Sequence, residues 1–115
     1  MGAPPIVRLL IVSPFETNCY LVGDSDTLDA LIIDPGDFAG SIIEAARSDG
    51  LNVRAIVNTH GHADHIAGVG DLKKVLNIPI LIHPEDAEML TDPELNLSVY
   101  FDEPLTLPPA DGFFP

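Results

Sequence analysis

The 115-residue sequence carries 18 Asp and Glu against five Lys and Arg, which gives a formal net charge of −13. A surface this acidic repels nucleic acid and anionic membranes, so we expect neither as a partner. The length suggests one domain, and a hydrophobic content of 46% is enough for a packed core. No apolar run approaches a membrane span, there is no signal-peptide pattern, and a lone cysteine fits a reducing cytosol, so we expect a cytoplasmic protein.

Runs of apolar and β-branched residues, separated by Pro, Gly and Asp, predict alternating strands and helices. The predicted strands are residues 6–12, 17–22, 28–33, 53–57 and 79–82, and the predicted helices are residues 38–48, 66–76 and 84–90. The order strand, helix, strand over residues 28–57 predicts a right-handed crossover with parallel pairing. The prolines that recur from Asp102 onward predict a loop to the end of the chain.

Residues 59–65, Thr-His-Gly-His-Ala-Asp-His, hold three of the four histidines at a predicted strand-to-helix junction. In open α/β sheets, ligands bind beyond the carboxyl ends of strands. In an extended chain His60 and His62 point the same way, so their neutral imidazoles can hold one divalent ion. Asp64 and His65 suit a second ion beside the first, and Asp64 could also orient a metal-bound water.

Two other residues each allow a functional and a structural interpretation. His83 is a possible metal ligand by type, but its simpler role is a polar residue leading into the helix predicted at residues 84–90. Cys19 is the only cysteine, which excludes a zinc finger. It lies in a predicted strand with no histidine near it in sequence, so we interpret it as a small buried residue and not a nucleophile.

Three further segments accompany the motif: Thr-Asn-Cys-Tyr-Leu-Val at 17–22, Ile-Ile-Asp-Pro-Gly at 32–36 and Val-Asn-Thr-His at 57–60. With residues 59–65, which match the His-x-His-x-Asp-His signature, they resemble the metallo-β-lactamase superfamily. The flanking segments are most similar to its glyoxalase II-type branch, the hydroxyacylglutathione hydrolases. The resemblance covers nearly the whole chain. It implies an α/β fold, the amino-terminal half of an αβ/βα sandwich, with a mixed sheet and helices on one face.

The resemblance implies a metal-dependent hydrolase that acts through a metal-activated hydroxide. His60 and His62 would hold the first ion, Asp64 and His65 would hold the second, and Asp64 would also orient the hydroxide. Asp34 would lie behind the ligands and fix an imidazole tautomer through a hydrogen bond. Zinc is the expected metal, with iron or manganese as alternatives.

The implied substrate is a small molecule, a thioester such as a hydroxyacyl-glutathione. Other members of the superfamily open lactone or β-lactam rings, or use a single iron for sulfur oxidation. These activities stay open as alternatives on the same fold.

One departure from the family pattern concerns the remaining ligands. The family supplies a third histidine, a bridging aspartate and a last histidine later in the chain, whereas no histidine follows His83 here. We therefore expect residues 1–115 to form an incomplete domain that lacks its carboxy-terminal half. A sheet face left uncovered would favour self-association. A non-catalytic fragment that binds metal or a partner chain is the remaining alternative.

Overall fold

The computed structural model describes residues 4–12, 17–36, 39–61, 63–98 and 106–113. Within these ranges six strands form one sheet, in the order β1-β2-β3-β4-β5-β6. The strands are β1 (Ile6–Val12), β2 (Thr17–Gly23), β3 (Asp29–Ile33), β4 (Asn52–Asn58), β5 (Ile80–Ile82) and β6 (Gly112–Phe113). The first three strands pair antiparallel, and β3 to β6 pair parallel. The predicted mixed sheet and parallel crossover are confirmed.

The helical elements supply one side of the core. They are α1 (Ala39–Ser48), α2 (Ala63–Ile66), α3 (Val69–Leu76) and a 3₁₀ helix (Pro84–Leu90). Their buried residues join one cluster with every second residue of the inner strands: Cys19, Leu21, Ala30, Ile32, Ile42, Ala46, Ile56, Ile66, Val69, Leu72, Ile80, Ile82 and Leu90. Because side chains alternate along a strand, all these helices cover the same face of the sheet, as predicted. Of the helices in the described ranges, none is long and apolar enough to cross a membrane.

The helix predicted at residues 66–76 is confirmed over Val69–Leu76, but it begins later than predicted, because Ile66 belongs to α2. The amide of Gly68 donates to the carbonyl of Pro35 at 2.7 Å, so it is not available for a helical bond to the preceding turn. Gly68 is buried at the point where α3 begins. A contact with the loop after β3 therefore sets the helix boundary, and helical periodicity alone could not reveal it.

The loop predicted from Asp102 to the end of the chain lies partly outside the described residues, and it is wrong at Gly112–Phe113, where β6 pairs with β5. Asp111 makes this possible: its amide donates to Ile80 O at 2.8 Å and its Oδ2 accepts from Ile80 N at 2.8 Å. Lys73 Nζ on α3 lies 2.7 Å from the same oxygen. The hydrogen bond from the Lys73 ammonium has the largest effect in lowering the pKa of Asp111, and the bond from the Ile80 amide lowers it further.

The opposite face of the sheet is apolar and carries no helix among the described residues. Across the pairings β1–β2, β2–β3, β3–β4 and β4–β5, this outer face includes Val7, Leu9, Ile11, Tyr20, Val22, Leu31, Ile33, Ala55, Val57 and Leu81, with Asn18 as an exposed polar residue among them. Val7, Leu9 and Ile11 are 57%, 51% and 63% exposed. The outer face corresponds to the uncovered sheet surface that the sequence analysis predicts.

Candidate metal centre

The candidate site forms where the parallel strands β3 and β4 end side by side. Ile33 pairs with Val57, and the amide of Asp34 donates to Val57 O at 3.0 Å, which continues the ladder by one bond. Asp34 then leaves the sheet with a φ of 55°, a left-handed conformation that Asp tolerates better than most residues. Its side chain thereby turns towards Thr59, the residue that follows β4.

The Asp34 carboxylate is 5% exposed and is contacted by groups from two later segments. Its Oδ1 accepts from the amide of Thr59 at 2.7 Å, and its Oδ2 accepts from the Thr59 hydroxyl. Nδ1 of His65 lies 3.2 Å from the same Oδ2. One buried carboxylate therefore joins the end of β4 to α2.

Two imidazoles flank this carboxylate. Nδ1 of His60 lies 2.9 Å from the Thr59 hydroxyl, and the His60 and His65 ring centroids are 4.7 Å apart. Asp34, His60 and His65 each offer a ligand atom, and these atoms lie within 4.8 Å of one another. Imidazole nitrogens with a carboxylate oxygen suit zinc, iron and manganese, so the donor set fits a divalent ion.

Two of the predicted ligands cannot be placed. His62 lies outside the described residues, and for Asp64 only the backbone within α2 is described. The structure brings Asp34 close to His60 and His65, which lie 26 and 31 residues later in the chain. The ligand set His60, His62, Asp64 and His65 stays a prediction.

Sequence reasoning missed Asn58, the last residue of β4. Asn58 is fully buried on the helix-covered face, and its Nδ2 donates to the carbonyl of His65 at 2.9 Å. Among the described residues its Oδ1 has no hydrogen-bond partner. A polar residue at an inward-facing position directly before the motif was the available signal. Asn58 links the end of β4 to the backbone of the residue that carries one candidate ligand.

Gly61 is required by packing against the 3₁₀ helix. A Cβ at this position would lie 2.4 Å from Met89 Cβ and 2.6 Å from Met89 Sδ. These distances are too short for any side chain without a shift of the backbone. Gly61 therefore lets the loop after β4 pack against the segment that follows β5.

The structure also describes His83 and Cys19, the two residues for which the sequence allowed both a functional and a structural interpretation. Nδ1 of His83 accepts from the amide of Glu85 at 3.1 Å, so His83 caps the 3₁₀ helix, and among the described residues it is not part of the ligand group. Cys19 is fully buried. Burial and then the charge of Asp34 raise the pKa of the Cys19 thiol to about 12, which disfavours the nucleophilic thiolate.

Comparison with known proteins identifies the family. Hydroxyacylglutathione hydrolase GloC of Haemophilus influenzae is 31% identical over 109 residues, which is 95% of this chain and 49% of that protein. The crystal structure of the BLEG-1 B3 metallo-beta-lactamase superimposes with a TM-score of 0.87 and 32% identity, over 96% of this chain and 53% of that chain. The structure of TTHA1623 in a di-iron-bound form has a TM-score of 0.71 and 28% identity, over 95% of this chain and 52% of that chain.

The chain thus spans about half the length of these relatives. Residues 12–114 match the family Lactamase_B, described as the metallo-beta-lactamase superfamily. The match covers most of the chain and includes β2 to β6 and the whole candidate site. The resemblance of the motif and of its flanking segments is therefore confirmed at the level of the superfamily. The chain belongs to the metallo-beta-lactamase superfamily.

Proposed function

We propose that this protein is a metal-dependent hydrolase whose site includes Asp34, His60 and His65. The observation that carries the proposal is the group of ligand atoms from these residues within 4.8 Å of one another, at the carboxyl ends of two parallel strands. Imidazoles are common ligands of a divalent ion in a hydrolase, and a carboxylate beside them can orient the rings. The di-iron-bound relative adds support for metal binding.

In this proposal each residue of the site has a separate task. His60 and His62 hold one ion, and Asp64 and His65 hold another. When bound, such an ion lowers the pKa of a coordinated water to about 7 and polarises a carbonyl. Asp64 orients the attacking water by accepting a hydrogen bond from it. Asp34 positions the site from its buried side, because its oxygens accept from the Thr59 amide and hydroxyl and its Oδ2 lies 3.2 Å from Nδ1 of His65.

The proposed substrate is a thioester such as a hydroxyacyl-glutathione, and the proposed metal is zinc, with iron or manganese as the alternatives. The Haemophilus influenzae relative is named for hydrolysis of hydroxyacyl-glutathione, which supports this substrate class. Imidazole and carboxylate ligands can bind all three metals. The metal that supports activity is therefore identified by loading the protein with each one in turn.

The experiment combines metal titration with a thioester hydrolysis assay on metal-free protein loaded with zinc, iron or manganese. His60→Asn is compared with His83→Asn, because asparagine can still cap the 3₁₀ helix at position 83. We expect His60→Asn to lose metal binding and turnover, and His83→Asn to keep both. Equal loss in the two variants, or no metal binding by the parent protein, would contradict the proposal.

Two alternatives have observations in their favour. The TM-score of 0.87 with the BLEG-1 metallo-beta-lactamase favours ring opening of a β-lactam, which the same loaded protein can be assayed for. The second alternative is a chain that binds metal or a partner without catalysis, which the ligand group of Asp34, His60 and His65 would also support. Metal binding without turnover of a thioester, lactone or β-lactam would support the second alternative.

A further inference from the structure

Thr59 lies between the buried carboxylate and the first imidazole of the motif. Its hydroxyl contacts Oδ2 of Asp34 on one side and Nδ1 of His60, at 2.9 Å, on the other. A hydroxyl has one hydrogen to donate and can accept as well, whereas an ionised carboxylate can only accept. The hydroxyl must therefore donate to Asp34, because the reverse arrangement would set two acceptor oxygens against each other.

This direction determines what His60 does. Because the Thr59 hydrogen is used by Asp34, the hydroxyl oxygen accepts, and Nδ1 of His60 must carry the hydrogen that it accepts. In a neutral imidazole only one nitrogen is protonated. Nε2 of His60 is then the nitrogen with the free lone pair, which is the form that a metal requires.

We propose that Thr59 is a positioning residue that holds His60 in the Nδ1–H tautomer and so keeps Nε2 available as a metal ligand. The inference rests on the proposed function, because the tautomer of His60 matters only if this residue binds metal. It adds a residue that the motif His-x-His-x-Asp-His does not include.

The arrangement gives Asp34 two routes to the imidazoles. Its Oδ2 lies 3.2 Å from Nδ1 of His65, which favours a hydrogen on that nitrogen directly. The same oxygen acts on His60 through the Thr59 hydroxyl. The Thr59 amide, which donates to Oδ1 at 2.7 Å, fixes the carboxylate between them. One carboxylate thus orders two rings whose centroids are 4.7 Å apart.

The test uses the 115-residue chain with Thr59→Val, which keeps the β-branched shape and loses the hydroxyl, and Thr59→Ser, which restores it. Thr91→Val is the matched control, because the Thr91 hydroxyl donates only to the carbonyl of Glu88 at 3.3 Å. Long-range ¹H–¹⁵N NMR of the metal-free proteins at a pH of about 8, where free imidazole is neutral, reports which ring nitrogen is protonated. The His60 signals are assigned by their loss in His60→Gln.

We expect His60 of the parent, of Thr59→Ser and of Thr91→Val to be protonated on Nδ1, and His60 of Thr59→Val to populate both tautomers. Zinc titration should show binding weakened about 10- to 100-fold in Thr59→Val alone. An unchanged tautomer in Thr59→Val, or Nε2 protonation in the parent, would overturn the proposal.

The two readouts separate this inference from the proposed function. If the parent chain binds no metal but Thr59→Val still changes the His60 tautomer, the hydrolase proposal fails and the role of Thr59 stands. If the parent binds metal and Thr59→Val changes neither the tautomer nor the affinity, the hydrolase proposal stands and the role of Thr59 fails.

Discussion

At the scale of single residues, Asn58 shows how a buried polar side chain orders the candidate site. Its amide nitrogen donates to the carbonyl of His65, seven residues later in the chain, while the residue itself is fully buried at the end of β4. A buried carbonyl without a partner is costly, so this bond favours one position of the backbone at His65. Asn58 therefore acts on the placement of the His65 backbone. Asp34 contacts the His65 ring, and Thr59 contacts the His60 ring.

We predict that Asn58→Leu lowers the free energy of unfolding by about 1–3 kcal/mol, because the His65 carbonyl loses its partner. Zinc affinity should fall as well. Asn96→Leu is the control: Asn96 is equally buried, and its Nδ2 donates to Met89 O at 2.7 Å, also seven residues away. Denaturant unfolding and zinc titration are measured on both. If Asn96→Leu lost as much zinc affinity as Asn58→Leu, the loss would come from general destabilisation and the specific role of Asn58 would be contradicted.

At the scale of elements, the loops that follow neighbouring strands depend on one another. The loop after β4 packs against the 3₁₀ helix at Gly61, and the loop after β3 bonds to the turn before α3 through Pro35 and Gly68. β6 is held to β5 by Asp111, which also meets Lys73 of α3. The contacts of Gly61 and Pro35 lie beyond the carboxyl ends of the strands, where the candidate ligands gather, whereas Asp111 acts at the amino end of β5.

Gly61→Ala should destabilise the protein by about 1–3 kcal/mol, because the added Cβ would overlap Met89 and force a backbone shift. Gly40→Ala, within α1, is the matched control, since a Cβ there meets nothing within 4 Å. That change should be neutral or stabilise the helix by up to about 1 kcal/mol. Thermal unfolding of both variants checks the prediction, which is wrong if Gly61→Ala is as stable as the parent.

Asp111→Asn should lower stability at neutral pH by at most about 1 kcal/mol, because solvent screens this partly exposed ion pair. The folded-state pKa of Asp111 is lowered, so its contribution is present above the ordinary carboxyl pKa of about 4 and is lost as pH falls through the folded-state value. The stability difference between parent and variant should therefore vanish in acid. Denaturant unfolding from about pH 7 to about pH 2 measures it, because the series must pass below the lowered pKa of Asp111, and a difference that persists at the acid end would contradict the electrostatic origin.

At the scale of the whole molecule, the sheet is covered on one face only within the described residues. The inner face packs against the helices, while β1 presents Val7, Leu9 and Ile11 on the outer face, each more than half exposed. Contiguous apolar surface of this kind favours association, and the net charge of −13 opposes it. We propose that copies of this chain associate through the outer face.

Leu9→Glu should therefore weaken self-association about tenfold or more, because it removes one large apolar side chain from the contact and adds a charge. Val75→Glu adds the same charge at an apolar residue of α3 that is 65% exposed, compared with 51% for Leu9, on the helical side of the sheet, and should have little effect. Sedimentation equilibrium at increasing salt concentration measures both. A monomeric parent chain at high salt, or equal weakening by Val75→Glu, would contradict association through the outer face.

The sequence by itself determined strands β1 to β5, the parallel crossover and the position of the motif at the end of β4. These features depend on side-chain alternation, helical spacing and breaks at Pro and Gly, which are properties of neighbouring residues. It also determined the superfamily, because the motif and its flanking segments are local in sequence.

Only the tertiary structure decided how Asp34, Thr59, His60 and His65 meet, and where α2, α3 and β6 begin. Each of these depends on a bond between distant segments: Thr59 to Asp34, Gly68 to Pro35, and Lys73 and Ile80 to Asp111. The inward-facing position of Asn58 could be noticed in the sequence, but its partner, the carbonyl of His65, could not. The role of Thr59 depends on the parallel pairing of β3 with β4, which brings Asp34 beside it.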